Sequence, residues 1–319
     1  MSVHETMVSK VHEYLSCRRA LGFALKIEGA QLLRFARYAD QMGHQGPITT
    51  ELAVRWAMLP KHADQCYWAR RVDIVRRFAT HRMLFDPYTE IPPKGLLGRA
   101  YCRISPHIYS DQEIQALLAA TRKLGPLNGL KPHTYATLFG LLASTGLRIS
   151  EALGLTRNDV DLQNGLLTIG ESKFKKSRLV PLHPSTVIAL QRYSEHRTQH
   201  HPKATSTAFF LTEHGTSLKY HKCLLTFLHL RSQLGWTGNG EKKPPRIHDM
   251  RHTFAVRRLL RWYQEGAEVG LMIPALATYL GHVKVSDTYW YLTAVPELME
   301  VISQRFENHF DSAYTGGVQ

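Results

Sequence analysis

The sequence predicts a mainly helical protein in two parts, with one small antiparallel β-meander, and three observations carry that expectation. Apolar residues recur at helical spacing through most of the 319 residues. A stretch from Asp159 to Leu182 breaks the pattern and reads as three short strands, the first two joined at Asn164-Gly165. Between Asp86 and His107, prolines and glycines replace apolar periodicity and mark a boundary.

Hydrophobic residues at 44%, charged at 21% and aromatics at 10% are the proportions of a globular chain and exclude a disordered or fibrous one. No apolar run approaches the ~18 residues of a membrane span, and the N-terminus lacks a charged-then-apolar signal, so a cytoplasmic protein with no membrane partner is expected. The formal charge of +14 points to a polyanionic partner. The excess is spread along the chain, with +6 in residues 1–99 and +8 beyond them. Cys17, Cys66, Cys102 and Cys223 form no paired spacing and read as reduced and structural. The 18 histidines form no HExxH or comparable ligand pattern, so neither a metal nor another cofactor is expected.

Residues 1–90 read as helical. Val8, Val11, Tyr14 and Leu15 share a helix face, as do Leu32, Leu33, Phe35 and Tyr38, and then Leu52, Val54, Trp56 and Met58. A fourth helix, from about Asp64 to Met83, carries Arg70, Arg71, Arg76 and Arg77 beside Tyr67 and Trp68, a set suited either to a nucleic acid backbone or to a solvated basic face. Residues 91–107, with Lys94, read as a basic extended linker. The second part, 108–319, opens with the capping box Ser110-Asp111-Gln112-Glu113, followed by an apolar helix from about His133 to Ser144. Thr145-Gly146 ends that helix, and Leu147 to Leu155 resumes helical spacing. Further helices are expected from Ser185, from Tyr220 to Leu234 and from Ile273 to Leu280, with a short strand at Phe209 to Thr212. From about residue 296 a tail carries an amphipathic helix to Phe310, striped by Leu298, Val301, Ile302 and Phe306.

The polar groups gather in four segments. Arg148 follows the Gly146 turn, where backbone N–H groups and a guanidinium converge on an anion, and Glu151 three residues on shares its helix face. Lys173, Lys175 and Lys176 stand at the tip of the meander. His248 and Arg251 share a face of a starting helix, and His282 and Tyr291 lie nine residues apart. A tyrosine hydroxyl has a pKa of about 10, so it needs cationic, hydrogen-bonding surroundings to act as a nucleophile. Two arginines, a lysine and two histidines would supply them at a phosphate.

These boxes, in order over about 150 residues, resemble the tyrosine recombinases, also called the phage integrase family. Thr-Gly-Leu-Arg-Ile-Ser-Glu-Ala-Leu at 145–153 looks like the first arginine box, with Glu151 as its acidic companion; Lys173 stands where the hairpin lysine stands. His248-Asp249-Met250-Arg251 fits HxxR, and Leu280-Gly281-His282 with Tyr291 fits the LGH box and its nucleophile, with Tyr289 a competitor two residues earlier. The resemblance implies a helical DNA-clamp domain ahead of an α+β catalytic domain. It implies transfer of a DNA strand to Tyr291 through a 3′-phosphotyrosyl link, with Lys173 as general acid, His248 as base and His282 as a donor to the phosphate. It also implies double-stranded DNA as partner and a homotetramer on two sites, monomeric or weakly associated alone, with room for an accessory DNA-binding protein. A mobile-element role is the favoured biological setting. Rival readings are a type IB-like topoisomerase, a catalytically silent DNA-binding relative and a metal-dependent nuclease.

Overall fold

The computed structural model describes residues 6–101, 105–170, 177–238 and 243–293, together with Met299 and Ser303, both helical. The chain divides into two compact units, Met1–Ile104 and Ser105–Gln319.

The first unit is built from helices α1 (Met7–Ala20), α2 (Lys26–Gln41), α3 (Thr50–Ala57) and α4 (Gln65–Arg82). Side-chain caps start three of them: Thr6 accepts from Ser9 N, Thr49 from Leu52 N and Asp64 from Tyr67 N, each satisfying a backbone donor the helix leaves free. Val11, Phe35, Trp56, Val75 and Phe78 bury their side chains in its core. Asp40 ties α2 to the start of α1 by accepting from Met7 N and Val8 N. The first half of the segment expected as a linker is anchored on this unit. Glu90 N donates to Ile48 O, Leu97 packs against the core, and Arg70 Nε donates to Ala100 O. These are backbone and side-chain ties that a search for apolar periodicity does not register. Cys66 is disulfide-bonded, contrary to the expectation of four reduced thiols, while Cys17 and Cys223 are free.

The second unit runs α5 (Asp111–Thr121), α6 (Leu130–Thr145), α7 (Ile149–Gly154), a 3-10 turn at Arg157–Asp159, β1 (Val160–Asp161), β2 (Leu166–Ile169), β3 (Arg178–Pro181), α8 (Pro184–His200), α9 (Tyr220–Gln233), α10 (Asp249–Gln264), α11 (Val269–Leu280) and α12 (Ser286–Thr293). The protein is thus mainly helical with a small antiparallel sheet in the order β1-β2-β3. Leu167 pairs with Val180 across β2 and β3, and Leu167, Ile169 and Val180 face the core. The capping box at α5 is formed as expected: Glu113 N donates to Ser110 Oγ and Ser110 N to Glu113 Oε2. The expected strand at 209–212 amounts to isolated bridges, Thr156 with Ala208 and Leu211 with Ser217. Apolar residues surround α6, so it is buried on most sides, against α5, α7, α8 and α10. A second core joins α10, α11 and α12 through Val256, Leu259, Ile273, Leu276, Leu280 and Tyr291.

The turn bearing Lys173, Lys175 and Lys176 lies outside the described residues, as does all but Met299 and Ser303 of the expected 296–310 helix. Among the described residues, no helix is long and apolar enough to cross a membrane.

Candidate active site

Two helix ends create the frame. At the end of α6, Gly146 takes the left-handed conformation, with φ +64°, and its N–H returns to Leu142 O. At the end of α11, Gly281 does the same at φ +67°, with Gly281 N bonded to Thr278 O and His282 N to Ala277 O. The Leu280-Gly281-His282 box is therefore a helix terminator that presents His282. Helix C-termini carry free carbonyls and partial negative charge, so they attract cations. Arg251 of α10 donates from Nη1 to Gly146 O at 2.9 Å and from Nη2 to Leu280 O at 2.6 Å, bridging both ends. Arg148 donates from Nη2 to Gly281 O at 3.0 Å.

Glu151 holds Arg148 in place. Its Oε1 accepts from Arg148 Nη1 at 2.8 Å and its Oε2 from Arg148 N at 3.0 Å. The backbone N–H expected to converge on an anion is thus given to this carboxylate, because Glu151 one turn along is within reach. Arg178, at the start of β3, makes a forked pair with the same carboxylate at 3.1 and 2.9 Å. Burial of Glu151 opposes ionisation, but the Arg178 and Arg148 bonds win and bring its pKa down to about 2.

Tyr291 of α12 is 2% exposed, and its ring lies 5.5 Å from His252, 6.1 Å from His282 and 5.6 Å from Trp290, between centroids. Burial raises its pKa; the charge and hydrogen bond of Arg251, then the charge of Arg148, draw it back in part. Tyr289, the competitor, is exposed and has no such setting. His282 Nδ1 is bonded to the buried Thr288 Oγ1 at 2.7 Å, which fixes the ring. Burial, then Arg251 and Arg148, lowers its pKa to about 4. His252 falls to about 3 through burial and then His248, its edge-on neighbour at 4.8 Å. His248 is lowered to about 4 by burial and Arg251, although the residue keeps an exposed edge where solvent screens part of that effect. Arg251, 2% exposed, has its pKa lowered to about 10 by burial and Arg148 and stays charged at neutral pH.

The structure therefore gathers Arg148, Glu151, Arg251, His248, His282 and Tyr291 at one junction, and Lys173 falls outside the described residues. Sequence reasoning missed Arg178, His252 and Thr288. His252 directly follows Arg251 and was legible as part of the same helix start, whereas Arg178 and Thr288 act through contacts that spacing does not encode. Of the basic residues on and after α4, Arg70, Arg77 and Lys94 are exposed and Arg76 is half-buried. Arg71 turns inward: its guanidinium stacks over Trp56 at 3.9 Å and donates to Trp56 O. Its register with Val75 and Phe78 explains this, since positions four and seven apart share the core face of a helix. Among the described residues no group of His, Cys, Asp or Glu is arranged to hold a metal ion.

Arginines bonded to helix ends beside a buried tyrosine and three imidazoles form a cationic site suited to an anionic group. Residues 108–297 match the phage integrase family, and the chain belongs to that family, the tyrosine recombinases, which makes it a site-specific DNA recombinase. It is 43% identical over 313 residues to the putative integrase/recombinase y4rB of Sinorhizobium fredii (strain NBRC 101917 / NGR234), covering 96% of this chain and 98% of that protein. It is 29% identical over 226 residues to the tyrosine recombinase XerC of Chlamydia caviae, across 70% of this chain and 65% of that one. The fold matches that of the Tn1549 transposon integrase, solved in complex with transposon right-end DNA, with a TM-score of 0.67 over 94% of this chain and 99% of that one at 18% identity.

Proposed function

We propose that Tyr291 is the nucleophile of strand cleavage and that Arg148, Arg251, His248, His282 and Lys173 serve it. The observation that carries this is Arg251, which is buried, bonded to both helix ends and close enough to the buried Tyr291 for its charge to favour the phenolate. A guanidinium has five N–H groups, and the bonds to the scaffold take two from each arginine, which leaves donors for non-bridging phosphate oxygens. Tyr291 Oη forms a bond to phosphorus as the bond from phosphorus to the 5′-oxygen breaks, giving a 3′-phosphotyrosyl link and a 5′-hydroxyl. The phenolic proton passes to His248, which is neutral at pH 7, and Lys173 donates a proton to the departing oxygen. The arginines stabilise the extra negative charge of the transition state, and losing one such donor raises the barrier by on the order of 3 kcal/mol. The ester bond retains the energy for rejoining, so neither ATP nor a metal is required.

The helical unit contacts the DNA backbone through Arg70, Arg77 and Lys94, with Arg76 at the edge of that face; Lys175 and Lys176 contact it from the catalytic unit. Exchange between two duplexes calls for four active sites, hence a homotetramer on DNA that is monomeric or weakly associated without it, an arrangement that accommodates an accessory DNA-binding protein. The tail from about residue 296 is the segment proposed to join neighbouring subunits. The name of the 43% identical relative, an integrase/recombinase, favours a mobile-element role, carried out in the cytoplasm at the nucleoid. The test is a denaturing gel with nicked duplexes from DNA flanking the gene, in chelator, comparing wild type with Tyr291→Phe. A covalent adduct that disappears in the variant supports the reading. Specific binding without an adduct in wild type would replace it with a DNA-binding role, and site-independent plasmid relaxation would point to a topoisomerase.

A further inference from the structure

Three guanidinium groups bond three successive carbonyls at the end of α11: Arg178 Nε to Tyr279 O at 2.7 Å, Arg251 Nη2 to Leu280 O at 2.6 Å and Arg148 Nη2 to Gly281 O at 3.0 Å. The first of these has no place in the chemistry above. Arg178 gives its two remaining nitrogens to Glu151, so that the carboxylate, 6% exposed, receives four N–H donors, two from Arg178 and two from Arg148.

The charge arithmetic gives this arrangement a consequence. Arg148 and Glu151 alone form a neutral pair, and a neutral pair binds phosphate poorly. Arg178 adds one positive charge on the far side of the carboxylate, which leaves the trio with a net charge of +1. Coulomb interactions at this range in a poorly solvated site are strong enough for one charge to change how well the developing charge of the transition state is stabilised. Packing adds a second constraint. A Cβ on Gly281 would come within 2.7 Å of Arg178 Nη1, so the guanidinium lies directly against the turn that presents His282.

We propose that Arg178 is a positioning residue for strand cleavage: it neutralises Glu151 so that Arg148 keeps its charge for the scissile phosphate, and it fixes the turn before His282. Arg178 touches neither Tyr291 nor the phosphate in this scheme; it acts through Glu151, Arg148 and the Tyr279 carbonyl. The proposal rests on the assignment of Arg148 and Tyr291 given above.

The test uses the full-length protein and the nicked duplex, with adduct formation followed under single turnover at saturating DNA and site binding measured in parallel. Arg178→Gln is expected to slow adduct formation roughly 10²-fold, as loss of one preorganised charge does, with site binding changed less than threefold. Adding Glu151→Gln to that variant removes the uncompensated carboxylate and is expected to recover at least tenfold of the rate. Arg178→Lys, which keeps the charge and loses the fork, is expected to stay within about tenfold of wild type. A residue that only staples β3 to α11 gives the opposite pattern: the Glu151→Gln and Arg178→Gln losses multiply, and Arg178→Lys is as slow as Arg178→Gln. That pattern, or an Arg178→Gln rate equal to wild type, overturns the proposal. If Arg178→Gln proves unfolded by circular dichroism, the double variant and Arg178→Lys carry the same comparison. Absence of any Tyr291-dependent adduct in wild type removes the underlying assignment instead, and is read before the Arg178 variants.

Discussion

Helix α4 and the junction of α6, α10 and α11 each bury an arginine, and the two serve different ends. Arg71 lies flat over Trp56 and donates to the Trp56 carbonyl, and the influence of its like-charged neighbour Arg34 is smaller than that of burial and Tyr67. Its charge is absorbed by an aromatic face and an oxygen, as suits a structural arginine. Arg251 is more deeply buried and has Arg148 and Arg178 as like-charged neighbours. Three guanidinium groups held together by helix ends and one carboxylate leave an excess of positive charge in a poorly solvated place. Such an arrangement is unfavourable until an anion enters, and it needs no reorganisation when one does. Burial of an arginine therefore says little about function; the company of other cations says much more.

The sharpest way to break this comparison is to neutralise both residues. Arg251→Gln is expected to lower the single-turnover rate of adduct formation by 10²- to 10³-fold at saturating DNA. Arg71→Gln is expected to leave that rate unchanged while destabilising the helical unit by about 2 kcal/mol, through loss of the stacked cation and a buried hydrogen bond. Thermal unfolding and the adduct assay on the two variants decide it. A cleavage defect in Arg71→Gln as deep as that of Arg251→Gln would remove the distinction.

A smaller effect is expected from the backbone of the junction. Gly281→Ala puts a Cβ where φ is +67° and where Arg178 Nη1 would be 2.7 Å away. The strain is about 1–3 kcal/mol, and relief requires either Arg178 or the His282 turn to move. Lower stability of the catalytic unit with slower adduct formation is the expected outcome. A variant with wild-type melting and rate would show that the turn has slack and that Arg178 does not hold it.

How much of this was legible beforehand follows the range of the interactions. Helices with local signals were read directly: the Ser110–Glu113 box, the Gly146 and Gly281 stops and the apolar run of α6 all act within one turn of chain. Arg148, His248, Arg251, His282 and Tyr291 were visible because their spacings on short segments are fixed. The same local rule, applied to α4, would have placed Arg71 inside, since its neighbours four and seven positions on are the buried Val75 and Phe78. Arg178 was not legible. Its partners Glu151 and Tyr279 lie 27 and 101 residues away, and no spacing rule reaches across a fold. The packed course of residues 90–100 was missed for a similar reason, being held by backbone bonds to Ile48 and by Arg70 rather than by a periodic apolar face.

Acid provides the mildest test, because it acts on both regions in the same direction and to different extents. His252 and His282 have pKa values brought down to about 3 and about 4, chiefly by burial, whereas an unfolded histidine titrates near 6.5. Between those values the unfolded chain binds protons that the folded chain refuses, so stability is intact above about pH 6.5 and is lost as pH falls below it. Each of the two histidines contributes about 1 kcal/mol of loss at pH 6. His248 adds less than its low pKa suggests because solvent reaches its edge. Glu151 acts lower down: its carboxylate stabilises the fold above about pH 4.5, and that contribution goes as pH falls toward 2. In the helical unit His81 is also lowered by burial, which makes a similar but smaller contribution. Hydrogen exchange on the full chain is therefore expected to show the catalytic unit loosening more than the helical unit between pH 7 and 5.5. Bound DNA should reduce the difference, since a phosphate beside His282 favours its protonated form. Equal loosening of the two units, or a catalytic unit unaffected by DNA, would mean that these histidines are set by general burial and do not face the phosphate.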